Sequence, residues 1–216
     1  MNTLPIGPPL SEGGASGADG LETYLELELA RSGSKRRYLL SCRFTKMMKL
    51  NLHLMHLCLA TKKENGIFVS IDQPHSYTQM ALKKMNTPQH GVIYIDAISK
   101  LTGMRSEDSQ VHFLAGNFTL PILDDLFSRA FLPEGSQKHF VKLEDFGFIL
   151  VNNVNVAMQY AGPEKVKRLL VGLTDMVKKY TSMKAFLIMD PASHPEMHDF
   201  LKTVCDREIV LKDGWL

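Results

Sequence analysis

Cysteine is scarce in this sequence, and long hydrophobic runs are missing. The three cysteines, Cys42, Cys58 and Cys205, are odd in number and far apart, so neither a disulfide framework nor a CxxC zinc site is predicted. No apolar run approaches the ~18 residues that a membrane-spanning helix needs. The N-terminus lacks the basic and apolar regions of a signal peptide. We therefore expect an intracellular, cytoplasmic protein that does not associate with a membrane.

The sequence also lacks a strong excess of charge of either sign. Its 25 Lys and Arg residues against 23 Asp and Glu residues give a net charge of +2, which excludes a histone-like binder but allows a local basic patch. Hydrophobic residues make up 44% and charged residues 22%, which is typical of a globular domain. The length of 216 residues is enough for one domain with a substantial core.

The first 20 residues differ in composition from the rest of the chain. They contain five Gly, three Pro and no Lys or Arg, so they have too little apolar surface to offset the entropy lost on ordering. We predict a disordered tail over residues 1–20 and a single domain over residues 21–216.

Short apolar runs alternate with helical patterns along that domain. Strands are predicted at 37–42, 66–72, 91–98, 146–153, 184–190 and 207–212. Helices are predicted at 46–60, 75–86, 121–132, 163–180 and 194–204, while the segment LETYLELELAR at 21–31 fits a short helix or a strand. Because the strand runs have little polar alternation, they favour strands covered on both faces. The pattern predicts an α/β domain with a mostly parallel central sheet.

The polar residues that follow the strands are the candidate site, because ligands of open α/β sheets bind beyond the carboxyl ends of the strands. Asp72, Asp96, Asn152 and Asp190 stand at the ends of four strands. The turn after the first strand consists of Ser41, Cys42, Arg43, Phe44, Thr45 and Lys46.

The order of these segments resembles the KaiC/RadA-like branch of the RecA-like ATPases, especially its archaeal members. RRYLLSC resembles the strand before the phosphate-binding loop, GIFVSIDQPHSY the strand that ends in paired acids, and FGFILVNNVNVAMQY the Walker B strand. The resemblance runs from about Lys35 to Gly214. It implies a three-layer RecA-like domain, with the central sheet flanked by helices.

Both nucleotide-binding motifs are degenerate. A phosphate-binding loop needs glycines for close backbone approach, a Lys, and a Ser or Thr for Mg²⁺, but SCRFTKMMK contains no glycine, and Met47 follows Lys46. Asn152 stands where the family has the Walker B Asp, and a neutral amide lacks the charge that Mg²⁺ favours. Of the paired acids only Asp72 remains. We predict no conventional ATPase activity, no catalytic residue, no bound metal and no Mg-nucleotide cofactor.

The sequence is compatible with three functions. The leading hypothesis is a non-catalytic RecA/KaiC-like module, a pseudo-ATPase, that acts through protein–protein interaction as a regulatory partner of an active paralogue or of itself. The first alternative is a divergent ATP-binding protein or ATPase that uses Lys46 and Asp72, in which Asp72 is the catalytic residue.

The second alternative is a nucleic-acid-binding accessory protein. Short basic groups occur at 35–37, 62–63, 83–84, 165–168 and 178–179, but specific phosphate binding needs several cations converging on one surface. We therefore interpret these groups as solvated helix faces. The pairs His194/His198 and His53/His56 have helical spacing for a metal, but no nearby third ligand follows from the sequence.

Overall fold

The computed structural model describes residues 17–99, 110–113, 145–179 and 182–211. Within these ranges seven strands form one sheet, and all six strands predicted from the sequence are present. The strands are β1 (Arg37–Ser41), β2 (Gly66–Ser70), β3 (Val92–Asp96), β4 (Val111–Phe113), β5 (Phe148–Val151), β6 (Lys184–Met189) and β7 (Arg207–Val210).

Six α-helices flank the sheet in the described residues. They are α1 (Gly17–Ala30), α2 (Met47–His56), α3 (His75–Lys84), α4 (Val154–Ala161), α5 (Pro163–Lys179) and α6 (Pro195–Val204). A 3-10 turn (Phe44–Lys46) precedes α2, and a π-helical turn (Leu57–Thr61) follows it. No helix of the described residues is long and apolar enough to cross a membrane.

The sheet is parallel throughout the described residues, with strand order β4-β3-β2-β5-β6-β1-β7. Strand β6 therefore lies between β1, which leads into the turn at residues 42–46, and β5, which is followed by Asn152. Parallel strands place their carboxyl ends at the same edge, so the candidate site residues share one edge of the sheet.

Each face of the sheet packs against its own group of helices. One face is rich in aromatic side chains and packs against α1, α2 and the buried Leu82 of α3; its aromatics are Tyr38, Phe68, Tyr94, Phe148 and Phe186. The other face is aliphatic and packs against α4, α5 and α6. Because successive strand residues point to opposite faces, neighbours such as Phe68 and Val69 join different layers. The result is the predicted three-layer α/β domain.

Several boundaries differ from the prediction. The ambiguous segment at 21–31 is helical, because Leu21 and Leu25 recur on one face and are completely buried. This helix begins at Gly17, so residues 17–20 of the predicted tail are helical, and residues 1–16 lie outside the described ranges. The predicted helix at 121–132 also lies outside them. Strand β4 and helix α4 were not predicted.

Candidate functional site

The turn between β1 and α2 is where the resemblance implies a phosphate-binding loop, and its backbone is held by the chain itself. The N–H of Phe44 donates to Oδ2 of Asp190 at 2.9 Å. The other oxygen of that carboxylate, Oδ1, accepts the N–H of Ala192 at 3.0 Å. The side chain of Asn155 holds the backbone of Asp190 by two hydrogen bonds. The N–H of Asp190 donates to Oδ1 of Asn155 at 2.8 Å, and Nδ2 of Asn155 donates to the carbonyl oxygen of Asp190 at 2.9 Å.

This arrangement places a negative charge of the chain at a backbone N–H of the loop. In a phosphate-binding loop such N–H groups face the phosphates. Here the acceptor is the carboxylate of Asp190, which would repel an approaching phosphate oxygen. The side chain of Phe44 meanwhile is half exposed to solvent.

The remaining loop residues have different environments. Cys42 is buried, while Arg43 and Thr45 are exposed and Lys46 is partly buried. Burial, together with the nearby charge of Asp190, raises the pKa of Cys42 to about 12. Its thiol is therefore protonated at neutral pH and is a packing group rather than a nucleophile.

Asn152, which the resemblance aligns with the Walker B Asp, bonds to Asp72. Nδ2 of Asn152 donates to Oδ1 of Asp72 at 2.6 Å, and Nδ2 of Asn153 donates to the other carboxylate oxygen, Oδ2, at 2.8 Å. Oδ1 of Asn152 accepts the N–H of Ile71 at 2.9 Å. Oδ1 of Asn153 caps α4 by accepting the N–H of Val156 at 3.3 Å.

These contacts fit a Mg-nucleotide poorly. Two amide groups direct their N–H bonds at Asp72, so a divalent cation beside this carboxylate would meet the positive ends of their dipoles. Helix α2 also approaches β5 closely, because Nδ2 of the buried Asn51 lies 3.3 Å from the carbonyl oxygen of Asn152. Oδ1 of Asn51 is buried with no hydrogen-bond partner among the described residues. Side chains thus join the two elements that would hold the metal and the phosphates.

Asp96, at the end of β3, is separate from this cluster and is completely buried. It accepts five hydrogen bonds, from the N–H and Nδ1 of His75, the N–H and Oγ of Ser99 and the N–H of Ile98, over 2.6–2.8 Å. Burial acts to raise the pKa of Asp96, but the hydrogen bonds from His75 and Ser99 outweigh it, so the pKa lies below its ordinary value. Asp96 therefore anchors the start of α3 to the sheet.

Ser41 belongs to a second polar cluster that sequence reasoning missed. Its hydroxyl donates to Oε1 of Glu208 at 2.6 Å, and Nε2 of His198 lies 2.6 Å from the same oxygen and 3.3 Å from the Ser41 hydroxyl. Ser41 and Glu208 both contact Nε2 of His198. In a Ser-His-acid triad the serine and the acid contact different ring nitrogens, so this cluster does not have the triad geometry. The cluster joins α6 to β1 and β7.

The histidine pairs do not form a metal site. His194 is the N-terminal cap position of α6, while His198 faces Glu208. His53 lies 2.7 Å from Glu22, and His56 lies 2.7 Å from Thr87. Among the described residues, no group of three or more His, Cys, Asp or Glu side chains has the geometry to hold a metal ion.

Two of the basic groups converge at the opposite edge of the sheet. Lys35, Arg36, Arg37 and Lys178 line a depression of about 190 Å³, together with Ser34, Val177 and Asp206. Arg37 forms a two-bond ion pair with Asp206, whose pKa falls to about 2 because of the hydrogen bonds from Arg37. Nη1 of Arg36 donates to the carbonyl of Val177 near the end of α5 at 3.1 Å.

No protein-family model and no curated protein matches this chain, but solved structures with the same architecture exist. A KaiC-like protein from the hyperthermophilic archaeon Pyrococcus horikoshii superimposes with a TM-score of 0.53 at 11% identity, over 82% of this chain and 72% of the other. An uncharacterized protein from the same organism, crystallised in complex with an unknown peptide, gives a TM-score of 0.63 at 14% identity, over 88% of this chain and 82% of the other.

These similarities define the fold class of the chain. The element order, the central parallel sheet and the KaiC-like neighbour together give a RecA-like three-layer α/β domain. At identities of 11% and 14% the likeness concerns the fold alone.

Proposed function

We propose that this protein is a non-catalytic RecA/KaiC-like module, a pseudo-ATPase that acts through protein–protein contact as a regulatory partner of an active paralogue or of another copy of itself. The observation that carries the proposal is the bond from the N–H of Phe44 to Asp190. A carboxylate of the chain accepts a backbone N–H of the turn that the resemblance aligns with a phosphate-binding loop, and the aromatic side chain of the same residue is half exposed to solvent.

The pairing of Asp72 with Asn152 and Asn153 supports the same proposal. Phosphoryl transfer depends on positioned cations that stabilise the charge of the transferring group. At this sheet edge Asp72 is instead held by two neutral amides. The uncharacterized protein from Pyrococcus horikoshii that has a similar fold was crystallised in complex with an unknown peptide, which supports peptide recognition as a use of this fold.

Calorimetry with ATP and Mg²⁺ tests the proposal against the alternative of a divergent ATPase that uses Lys46 and Asp72. We expect no tight Mg-dependent binding and no phosphate release by the purified protein. A matched control is Asp175→Asn, which removes an exposed carboxylate of α5 whose partner is Lys178. Tight binding with turnover that Asp72→Asn abolishes and Asp175→Asn leaves intact would establish the divergent ATPase instead.

A nucleic-acid-binding accessory role is the second candidate, and the convergence of Lys35, Arg36, Arg37 and Lys178 on one depression favours it. Against it, Asp206 and the Val177 carbonyl already engage the two arginines. The test is retention of single- or double-stranded DNA at physiological ionic strength, measured for the unmodified protein and for Lys35→Ala/Lys178→Ala. Retention that falls with salt and with this double substitution would support the candidate, and its absence would remove it.

A further inference from the structure

The depression at the amino-terminal edge of the sheet contains an excess of positive charge. It has a volume of about 190 Å³, and we call it the basic depression: Ser34, Lys35, Arg36, Arg37, Val177, Lys178 and Asp206 line it. Four of these side chains are cationic and one is anionic. Because they line a single concavity, the cations belong to one continuous surface, as an anion-binding site requires.

Two acids pair with cations of the basic depression, and they do not remove its positive excess. The carboxylate of Asp206 accepts the N–H groups of Arg36 and Arg37 at 3.1 and 3.0 Å and forms the two-bond ion pair with the Arg37 guanidinium. Asp175 pairs with Lys178 at 2.7 Å, but both side chains are half exposed, and exposed pairs of this kind are weak. Four cations against these two acids leave a net charge of +2.

The backbone that carries two of the cations is held in place. The carbonyl of Lys35 accepts the hydroxyl of the buried Tyr38 at 2.7 Å, and the carbonyl of Arg36 accepts the N–H of Ala185 at 2.8 Å. The bond from Nη1 of Arg36 to the carbonyl of Val177 orients the guanidinium, and because that acceptor is neutral, the bond leaves its charge in place. An anion therefore meets an ordered backbone, which lowers the entropic cost of binding.

The size and charge of the basic depression favour one compact oxyanion. Its volume is smaller than the roughly 300–1,000 Å³ of pockets that enclose a drug-sized ligand. A phosphate monoester carries about two negative charges at neutral pH and has three strong acceptor oxygens, which suits a net charge of +2 and the N–H donors of Lys35, Arg36 and Lys178. Nucleic acid instead needs a groove of cations along its backbone, whereas Asp175 and Asp206 accompany the cations here.

We infer that the basic depression binds the phosphate group of a phosphorylated side chain in a segment of a partner protein, with Lys35, Arg36 and Lys178 as donors. The inference rests on the proposed function, because it names the chemistry by which a protein–protein module recognises its partner. Recognition of a phosphate makes the contact depend on modification of the partner, which suits a regulatory role.

Two-dimensional proton–nitrogen NMR tests the inference with a peptide that has one phosphoserine between pairs of glycines, so that only the phosphate is recognised. We expect saturable shifts of the amide signals of residues 34–37 and 177–178. Binding should weaken at least about tenfold for the unphosphorylated peptide and for Lys35→Ala/Lys178→Ala. The matched control is Lys83→Ala/Lys165→Ala, which removes the same charge from exposed positions outside the depression and should leave the affinity unchanged.

Four results would overturn the inference. They are no saturable shifts at these residues, equal binding of the unphosphorylated peptide, tighter binding of single-stranded DNA at the same residues, and inorganic phosphate that binds more than about tenfold tighter than the peptide, which would indicate a site for the free ion. All substitutions lie at exposed positions, and circular dichroism of each variant checks that it is folded. Mg-ATP turnover by the same preparation would contradict the proposed function, whereas absent peptide binding without turnover would contradict this inference alone.

Discussion

Two carboxylates end neighbouring strands of the same sheet and have opposite environments. Asp96, at the end of β3, is completely buried and accepts five hydrogen bonds from His75, Ile98 and Ser99. Asp72, just after β2, is exposed and accepts two bonds from the amides of Asn152 and Asn153. The residue type is the same, but Asp96 is the last residue of β3 and pairs with Ser70, whereas Asp72 lies two residues beyond β2, so the two carboxylates have different surroundings.

The difference makes Asp96 a residue that the folded core requires and Asp72 a residue that tolerates replacement better. Burying a charged carboxylate is costly, and only a full set of donors makes Asp96 tolerable in the core. Asp72 remains in contact with water and accepts two bonds rather than five, so its removal leaves two buried amide N–H groups without an acceptor, which is fewer than at Asp96. The comparison yields four predictions, which begin with the largest expected effect.

Replacing Asp96 by alanine should cause the greatest loss of stability. The substitution leaves the buried donors of His75 and Ser99 without an acceptor, and we expect the free energy of unfolding to fall by about 3–5 kcal/mol. Urea denaturation followed by circular dichroism measures the change. A loss below about 1 kcal/mol would show that water enters this site and that the comparison with Asp72 fails.

The pH dependence of the same residue gives an independent check. Because the pKa of Asp96 is lower in the folded protein, its contribution to stability is complete above its unfolded pKa and is lost as the pH falls through the folded value. The stability difference between the unmodified protein and Asp96→Asn should therefore shrink on acidification below about pH 4. A difference that is constant from neutral pH to that range would contradict the assignment.

Replacing Asn152 by aspartate should have an intermediate effect that depends on pH. The new carboxylate loses the N–H donated to Asp72 and places a second negative charge beside it, so we expect a loss of about 2 kcal/mol at neutral pH. Protonation of either carboxyl group should relieve the repulsion, so the loss should diminish on acidification. Asn152→Ala is the control, because it removes the donor without adding charge and should show no such pH-dependent recovery.

Replacing Asp72 by asparagine should have the smallest effect. The new amide oxygen still accepts one of the two bonds, but the other buried amide N–H loses its acceptor, so we expect a loss of about 1 kcal/mol. Thermal denaturation monitored by circular dichroism measures the change. A loss comparable to that of Asp96→Ala would mean that Asp72 is a structural residue, and the contrast between the two strand ends would disappear.

Local patterns were sufficient for most of the architecture. The apolar runs that became β1, β2, β3, β5, β6 and β7 are continuous in sequence, and burial on both faces explains why they show no polar alternation. Strand β4 has only three residues, too few to give a periodic signal. Helix α4 was overlooked because its β-branched Val154 and Val156 resemble a continuing strand, although Asn153 is a favoured N-terminal cap residue.

The candidate site was predicted in part. Ligands of open α/β sheets bind beyond the carboxyl ends of the strands, and this rule correctly placed Asp72, Asn152 and Asp190 at one edge of the sheet. It gave no indication that Asp190 would hold the N–H of Phe44, because these residues are 146 positions apart and meet only in the folded sheet. The bond between Ser41 and Glu208 spans 167 positions and was missed for the same reason.

The position of β1 between β6 and β7 has a consequence for how the chain is made. Both neighbours of β1 come from residues 184–210, whereas the strand itself starts at residue 37. During synthesis on the ribosome, this apolar strand emerges about 150 residues before its two partner strands and has no partner in the sheet until they follow. Pairings so remote along the chain form slowly, and an apolar strand without its partners is exposed to aggregation in that interval.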